Sequence, residues 1–244
     1  MPASPLPVLL HGYLGFVRVG PFQYFRDVAA TLRREGIEVL MPKVPSTGSL
    51  AERAGVLAAQ LRAHPAPSFV LLGHSMGGLD ARWVAARLDP DRRVKAVVTV
   101  ATPHRGSPVA TRVREDKGAF AWLLRRAMGP GLHDLEPDIR LQENIPDRED
   151  LRYFSYVTER ADAEMPVPLR PFARMIGRPN DGLVPVDSAP WGEVLGTVQA
   201  DHLEVVGWSL ARPNAAARRP FDHRGFWHAA VRKAIAAGEA TRGA

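Results

Sequence analysis

The sequence predicts an α/β protein, a mostly parallel sheet with helices on both faces. Three observations carry that prediction. Short apolar runs alternate with helical patterns along the chain, as crossover connections between parallel strands demand. No internal repeat or low-complexity linker divides the 244 residues. The length suits one domain, 1–244, able to bury a core without disulfides or a structural metal.

The strand candidates in order are Leu6–Leu10, Ile37–Met41, Phe69–Leu72, Lys95–Val100 and Tyr153–Val157, with a last strand expected within Glu193–Val206. Helical patterns lie between them. Phe22, Phe25, Val28, Ala29 and Leu32 recur at helical spacing, and Gly36 follows as a stop. Ser49 with Glu52 three residues on forms a capping box ahead of Leu50, Ala54, Leu57 and Leu61. Leu79 and Trp83 mark a third helix closing at Leu88-Asp89-Pro90, and Trp227, Val231 and Ile235 form the buried stripe of a C-terminal helix. Residues 105–150 break the rhythm: they have no strand signal, an apolar helical piece at Ala119–Met128, and a Gly129-Pro130-Gly131 break. An insertion of that length between two strands is expected to sit above their C-terminal ends as a cap or lid, where ligands bind in open sheets.

Composition removes several classes. Apolar residues make up 45% and charged residues 24%, which excludes collagen-like, coiled-coil and disordered chains. The absence of cysteine excludes disulfide scaffolds, thiolate zinc sites, iron–sulfur clusters and a cysteine nucleophile. Thirty-two Lys+Arg stand against 26 Asp+Glu, a net charge of +6. The arginines come as scattered pairs such as Arg33-Arg34 and Arg125-Arg126, not as a basic tract interleaved with aromatics, so they read as solvated surface and not as a nucleic-acid face. The N-terminus lacks the basic and long apolar regions of a signal peptide, and no apolar segment reaches the roughly 18 residues of a membrane span. The expectation is a soluble, cytoplasmic protein.

Chemistry concentrates at Gly73-His74-Ser75-Met76-Gly77, directly after the apolar run Ser68–Leu72 and directly before a helical pattern. A serine at the apex of a strand–turn–helix has a strained backbone, and glycines two residues to either side remove side chains that would collide across the turn. The hydroxyl is thereby lifted above the sheet at a helix N-terminus, where developing negative charge is favoured. A second element, His11-Gly12-Tyr13-Leu14-Gly15, follows the first strand. Acyl-transfer sites bind a developing oxyanion with two backbone donors, and the N–H groups of Met76 and Tyr13 are the candidates.

A serine nucleophile needs a base and an orienting carboxylate, arranged along the chain as Ser, then acid, then His. His11, His64, His74 and His104 come too early for that order, and His133 falls in the expected cap. His202, His223 and His228 remain as bases, with His228 reading best as a partly exposed helix residue. Asp181, in Asn180-Asp181-Gly182, competes with Asp162 and Asp187 as the acid. Composition alone does not separate them.

Taken together, the Gly73–Gly78 turn, the His11–Gly15 loop and Val100-Ala101-Thr102-Pro103-His104-Arg105-Gly106-Ser107 resemble the bacterial triacylglycerol lipases of the α/β-hydrolase superfamily. Asn180-Asp181-Gly182-Leu183-Val184 and His202-Leu203 fit in order and spacing, and the match is weakest over 108–150. The resemblance implies an α/β-hydrolase fold and a lipase or esterase acting on an ester or lipid through Ser75 as nucleophile, Asp181 as acid and His202 as base, with Tyr13 and Met76 as oxyanion donors. It requires no cofactor. Some members hold a calcium ion near the histidine through an aspartate two residues after it and another upstream; those positions correspond here to Glu204 and, loosely, Asp162. An acyltransferase, thioesterase or phospholipase would carry the same triad, and a non-catalytic binding protein is the alternative from another class.

Overall fold

The computed structural model describes residues 4–115, 129–137, 145–210 and 221–241. A five-stranded parallel sheet forms the centre: β1 (Leu6–Leu10), β4 (Phe69–His74), β5 (Val94–Val100), β6 (Arg152–Glu159) and β7 (Glu193–Gln199), in that spatial order. A two-stranded antiparallel ribbon, β2 (Arg18–Val19) with β3 (Phe22–Gln23), follows the first strand. The helices are α1 (Val28–Arg34), α2 (Leu50–Ala63), α3 (Met76–Trp83), α4 (Pro108–Glu115), α5 (Arg170–Ile176) and α6 (His223–Ala240). No helix among the described residues is long and apolar enough to cross a membrane.

Alternation along the strands splits the core in two. Leu9, Val70, Leu72, Val98 and Trp227 belong to one cluster, shared with α1 and α6; Val8, Leu10, Phe69, Leu71 and Leu57 belong to the other, under α2 and α3. Val94 and Val97 share a face although three residues apart, because Phe69 pairs with Val94 and Val70 with Ala96, so Lys95 is an extra residue that resets the pleat. Helix α2 starts on the expected capping box: Ser49 Oγ accepts from the Glu52 N–H at 3.3 Å, and the Ser49 N–H donates to Glu52 Oε2 at 2.8 Å.

Three expectations change. Ile37–Met41 is not a strand: only Leu40 bridges to β1, donating to Pro7 O at 2.9 Å and accepting from Leu9 N–H at 2.8 Å. The next rung of that ladder would need an N–H from Pro7, which has none. The aromatic-rich pattern from Phe22 becomes helical only at Val28; Phe22 sits in the β2–β3 ribbon, and Tyr24 and Phe25 are buried from a loop. In α6 the fully buried stripe is Trp227, Ala230, Val231 and Ala234, while Ile235 is only partly buried. The third helix does close at Leu88, passing through a π-helical turn, Val84–Leu88. Of the expected cap, α4 and a 3-10 turn, Pro130–Leu135, are described; the apolar piece at Ala119–Met128 lies outside the described residues.

Candidate active site

Ser75 lies between β4 and α3 with φ 54° and ψ −129°, a left-handed backbone that is costly for a residue with a Cβ. Its N–H donates to Val100 O at 2.9 Å, which ties the turn to the end of β5. The flanking glycines are sterically required. A Cβ on Gly73 would stand 2.3 Å from the Gly77 backbone, and one on Gly77 2.4 Å from Leu10 O. Met76, at the first position of α3, has an N–H with no intrahelical acceptor.

The His11–Gly15 loop packs on this turn, since a Cβ on Gly12 would stand 2.8 Å from Ser75 Cβ. Its orientation is set from below by a fully buried ion pair. Arg53 on α2 grips Asp80 on α3 through Nε and Nη2, the latter at 2.6 Å, and also donates to His11 O at 2.7 Å and Pro45 O at 2.9 Å. The Gly12 carbonyl faces the same guanidinium and accepts the His11 Nδ1–H at 2.9 Å. Because a trans peptide holds C=O and N–H on opposite sides, the Tyr13 N–H is turned away from Arg53. Tyr13 lines the cavity above Ser75. Burial pushes the Asp80 carboxyl up to about 6 against the pull of Arg53, and it lowers His11 to about 4 with help from the same guanidinium.

Tyr24 joins the loop to the turn: its hydroxyl accepts the Gly12 N–H at 3.0 Å and donates to His74 Nδ1 at 2.7 Å. That leaves the proton of a neutral His74 on Nε2. Burial, and then the neighbouring His202, hold His74 well below the usual imidazole range. The His74 and His202 ring centroids are 4.6 Å apart.

Asp181 is fully buried in the loop after α5. Its Oδ1 accepts the Leu183 N–H at 3.0 Å and the Val184 N–H at 2.7 Å; its Oδ2 accepts the Thr158 hydroxyl at 2.6 Å and His202 Nδ1–H at 2.8 Å. A second tie, His202 N–H to Asp181 O at 2.9 Å, fixes the backbones together. With Nδ1 donating to the carboxylate, Nε2 is the nitrogen left to accept a proton. His202 and Ser75 line one cavity of about 520 Å³. Phe16, Trp208, Val109, Leu132, Leu135 and Phe172 are among its other walls, and no Asp, Glu, Lys or Arg lines it among the described residues.

The competing candidates lie elsewhere. Asp187 is exposed and pairs with Arg178 at 3.0 Å, and Asp162 is exposed beside Arg170 and Arg174. His223 donates to Arg26 O at 2.8 Å, and His228 meets Glu35 at 2.7 Å. The calcium positions do not fit such an ion. Glu204 is buried and its carboxylate is held by Arg160, whereas Asp162 borders a different surface hollow. Sequence reasoning missed Arg53, Asp80, Tyr24 and Thr158; an arginine inside the apolar stripe of α2 was the one available signal.

Residues 8–139 match the family model for the alpha/beta hydrolase fold. Triacylglycerol lipase 2 of Saccharomyces cerevisiae is 32% identical over 205 residues, covering 76% of this chain and 63% of that protein. A triacylglycerol lipase of Vibrio cholerae is 37% identical over 111 residues, 44% of this chain and 35% of that protein. The chain thus spans less than two thirds of the length of these relatives. Among solved structures, a metagenomic carboxyl esterase superposes with TM-score 0.69 at 22% identity, covering 98% of this chain and 75% of that one. A Bacillus licheniformis lipase in its mature form gives 0.68 at 22%, over 84% and 88%. At that identity the likeness establishes the fold alone.

Proposed function

The chain belongs to the alpha/beta hydrolase family, and from that premise we propose that it is a serine hydrolase cleaving carboxylic esters of lipids. The observation that carries the reading is the 2.8 Å bond from His202 Nδ1 to Asp181 on the wall of the cavity that Ser75 shares. The uncharged, apolar lining of that cavity suits an acyl chain. Relatives named triacylglycerol lipase support the choice of ester over other acyl substrates.

In this mechanism His202 Nε2 takes the Ser75 proton as Oγ attacks the ester carbonyl. The N–H groups of Tyr13 and Met76 hold the oxyanion, each such donor contributing about 3–4 kcal/mol to the transition state. Asp181 keeps His202 in the productive tautomer and stabilises the imidazolium. That imidazolium then protonates the departing alcohol, leaving an acyl ester on Ser75. Water, deprotonated by His202, releases the acid. Helix α4 and the 130–135 turn, the described part of the expected lid, form the acyl wall. No step calls for a cofactor.

A fluorophosphonate probe together with a p-nitrophenyl ester series tests the scheme. The expected result is covalent labelling at Ser75 and ester turnover that disappears in Ser75→Ala. Turnover at the wild-type rate in Ser75→Ala, or a folded protein unlabelled at Ser75, overturns it.

A further inference from the structure

Behind His202 the chain carries a charge network that the catalytic scheme does not use. Arg160 directly follows β6, and its side chain is only 6% exposed. Its backbone N–H donates to Asn180 O at 3.0 Å, one residue before Asp181. Its guanidinium grips Glu204 through Nη2 and Glu164 Oε2 through Nη1 at 2.9 Å. Glu204 lies two residues after His202, and its side chain is 5% exposed. It opens the 3-10 turn Glu204–Val206, its N–H donates to Asp201 Oδ1 at 2.9 Å, and its Oε1 accepts the Phe221 N–H at 3.3 Å. The Arg160–Glu204 pair therefore links the end of β6 and the Asn180–Asp181 loop to the turn that follows His202 and to the entry to α6.

We propose that Arg160 is a positioning residue for His202: as a built-in cation clamped on Glu204, it holds the imidazole against Asp181 and in line with Ser75, in the place where a metal ion could otherwise brace the histidine turn. The inference rests on the assignment of His202 as the base. A planar, permanently charged fork suits the task, because it makes two directed bonds at once and needs no ion from solution. A calcium ion recruited to Glu204 would have to displace a buried cation already bonded there. Glu164 is half exposed, so its share of the grip is screened by solvent, and Glu204 carries the greater part.

Arg160→Lys, Arg160→Ala and Glu204→Gln, compared with wild type, provide the test. Steady-state ester kinetics should show kcat reduced by about 10- to 100-fold in Arg160→Ala with KM little changed, the range for residues one step removed from the chemistry. Arg160→Lys should fall between, keeping the charge but losing the fork. Glu204→Gln, which keeps shape and packing, should repeat the kcat loss should Arg160→Ala fail to fold. Chelator should leave wild-type turnover unchanged. The second readout is independent of turnover: the downfield proton resonance of the His202 Nδ1–Asp181 bond, present in wild type, should be lost in folded Arg160→Ala. Should wild type prove inactive on esters, the activity assignment falls while this resonance still decides the positioning claim. Retention of the resonance and of kcat in folded Arg160→Ala and Glu204→Gln overturns it, as does a wild-type enzyme that chelator silences and calcium restores.

Discussion

On one wall of the cavity, at the C-terminal ends of β1, β4 and β6, the buried groups are polar and multiply bonded; on the other, formed by α4, the 130–135 turn and α5, the lining is almost wholly apolar. Asp181 receives four hydrogen bonds, Asp80 is clasped by Arg53, and Tyr24 bonds to Gly12 and His74 at once. Val109, Ala110, Val113, Leu132, Leu135 and Phe172 contribute shape alone to the facing wall. Directional bonds fix atoms to fractions of an ångström, which the proposed bond making at Ser75 needs. Apolar packing tolerates exchange at similar volume, which accommodation of a chain needs. The first wall should therefore govern rate and stability together, and the second wall preference among substrates.

Removing a charge from the polar wall tests that division most severely. Arg53→Met leaves the Asp80 carboxyl buried without its partner and should destabilise the protein by about 3–5 kcal/mol. For a chain this size that is a melting temperature lower by roughly 6–20 °C. Combining it with Asp80→Leu should recover much of the stability, because an apolar pair can replace a buried ion pair. The same double variant should stay slow on esters, since the His11 and Gly12 carbonyls then lose the guanidinium they face. Recovery of both stability and kcat in the double variant would remove the case for Arg53 as an organiser of that loop.

Acid should weaken the polar wall next. His11, His74 and His104 are held below the ordinary imidazole value, chiefly by burial, His104 also by Arg82 and Arg105. Their folded values lie below the unfolded ones, so the stability they lend is present above 6.5 and lost as pH falls toward the folded values, about 4 for His11. Asp80, raised to about 6, acts in the opposite sense between its unfolded value and 6 and offsets one of the three. The net of two protons corresponds to at most about 2.7 kcal/mol per pH unit below 6. Thermal melts should be flat above pH 7 and fall steadily from 6.5 downward; a melt that is unchanged to pH 5 contradicts the assignment of three neutral buried histidines.

The apolar wall should respond least. Val113→Trp narrows the cavity beside α4 and should lower kcat/KM for the longest p-nitrophenyl esters by roughly tenfold, leaving the shortest within about twofold. A uniform loss across chain lengths would mean that this wall, too, takes part in the chemistry.

The parts of the molecule legible in the sequence were those where one residue type meets one steric demand. Gly73 and Gly77 tolerate no Cβ, and Ser49 and Glu52 cap a helix by local bonds alone, whereas chain order left three acids and three histidines open until the family resemblance pointed to Asp181 and His202. The polar support was not legible, because a charge in a sequence reads as surface until its partner is known. Arg53 and Asp80 are 27 residues apart, and only the place of Arg53 inside the apolar stripe of α2 hints at burial. Tyr24 was hidden differently: Phe22 in the ribbon and Phe25 in the following loop fall at helical spacing from Val28, where the helix begins. Ile37–Met41 had the composition of a strand, and the missing donor of a proline on the neighbouring strand denies it a rung beside the Leu40 bridge.

That proline has a consequence for how copies of the protein behave toward one another. A parallel sheet with two open margins is a template for another chain's backbone, and long flat margins lead to fibres. Along β1 the Leu40 bridge covers one rung and Pro7 silences the next. At the opposite margin β7 is only seven residues long, and Glu193 at its start is ion-paired to Arg152 at 3.1 Å and Lys233 at 3.9 Å. Between a mute rung and a charged post, the sheet ends where it does by chemical means, and its growth by recruitment of a neighbour is discouraged from both sides.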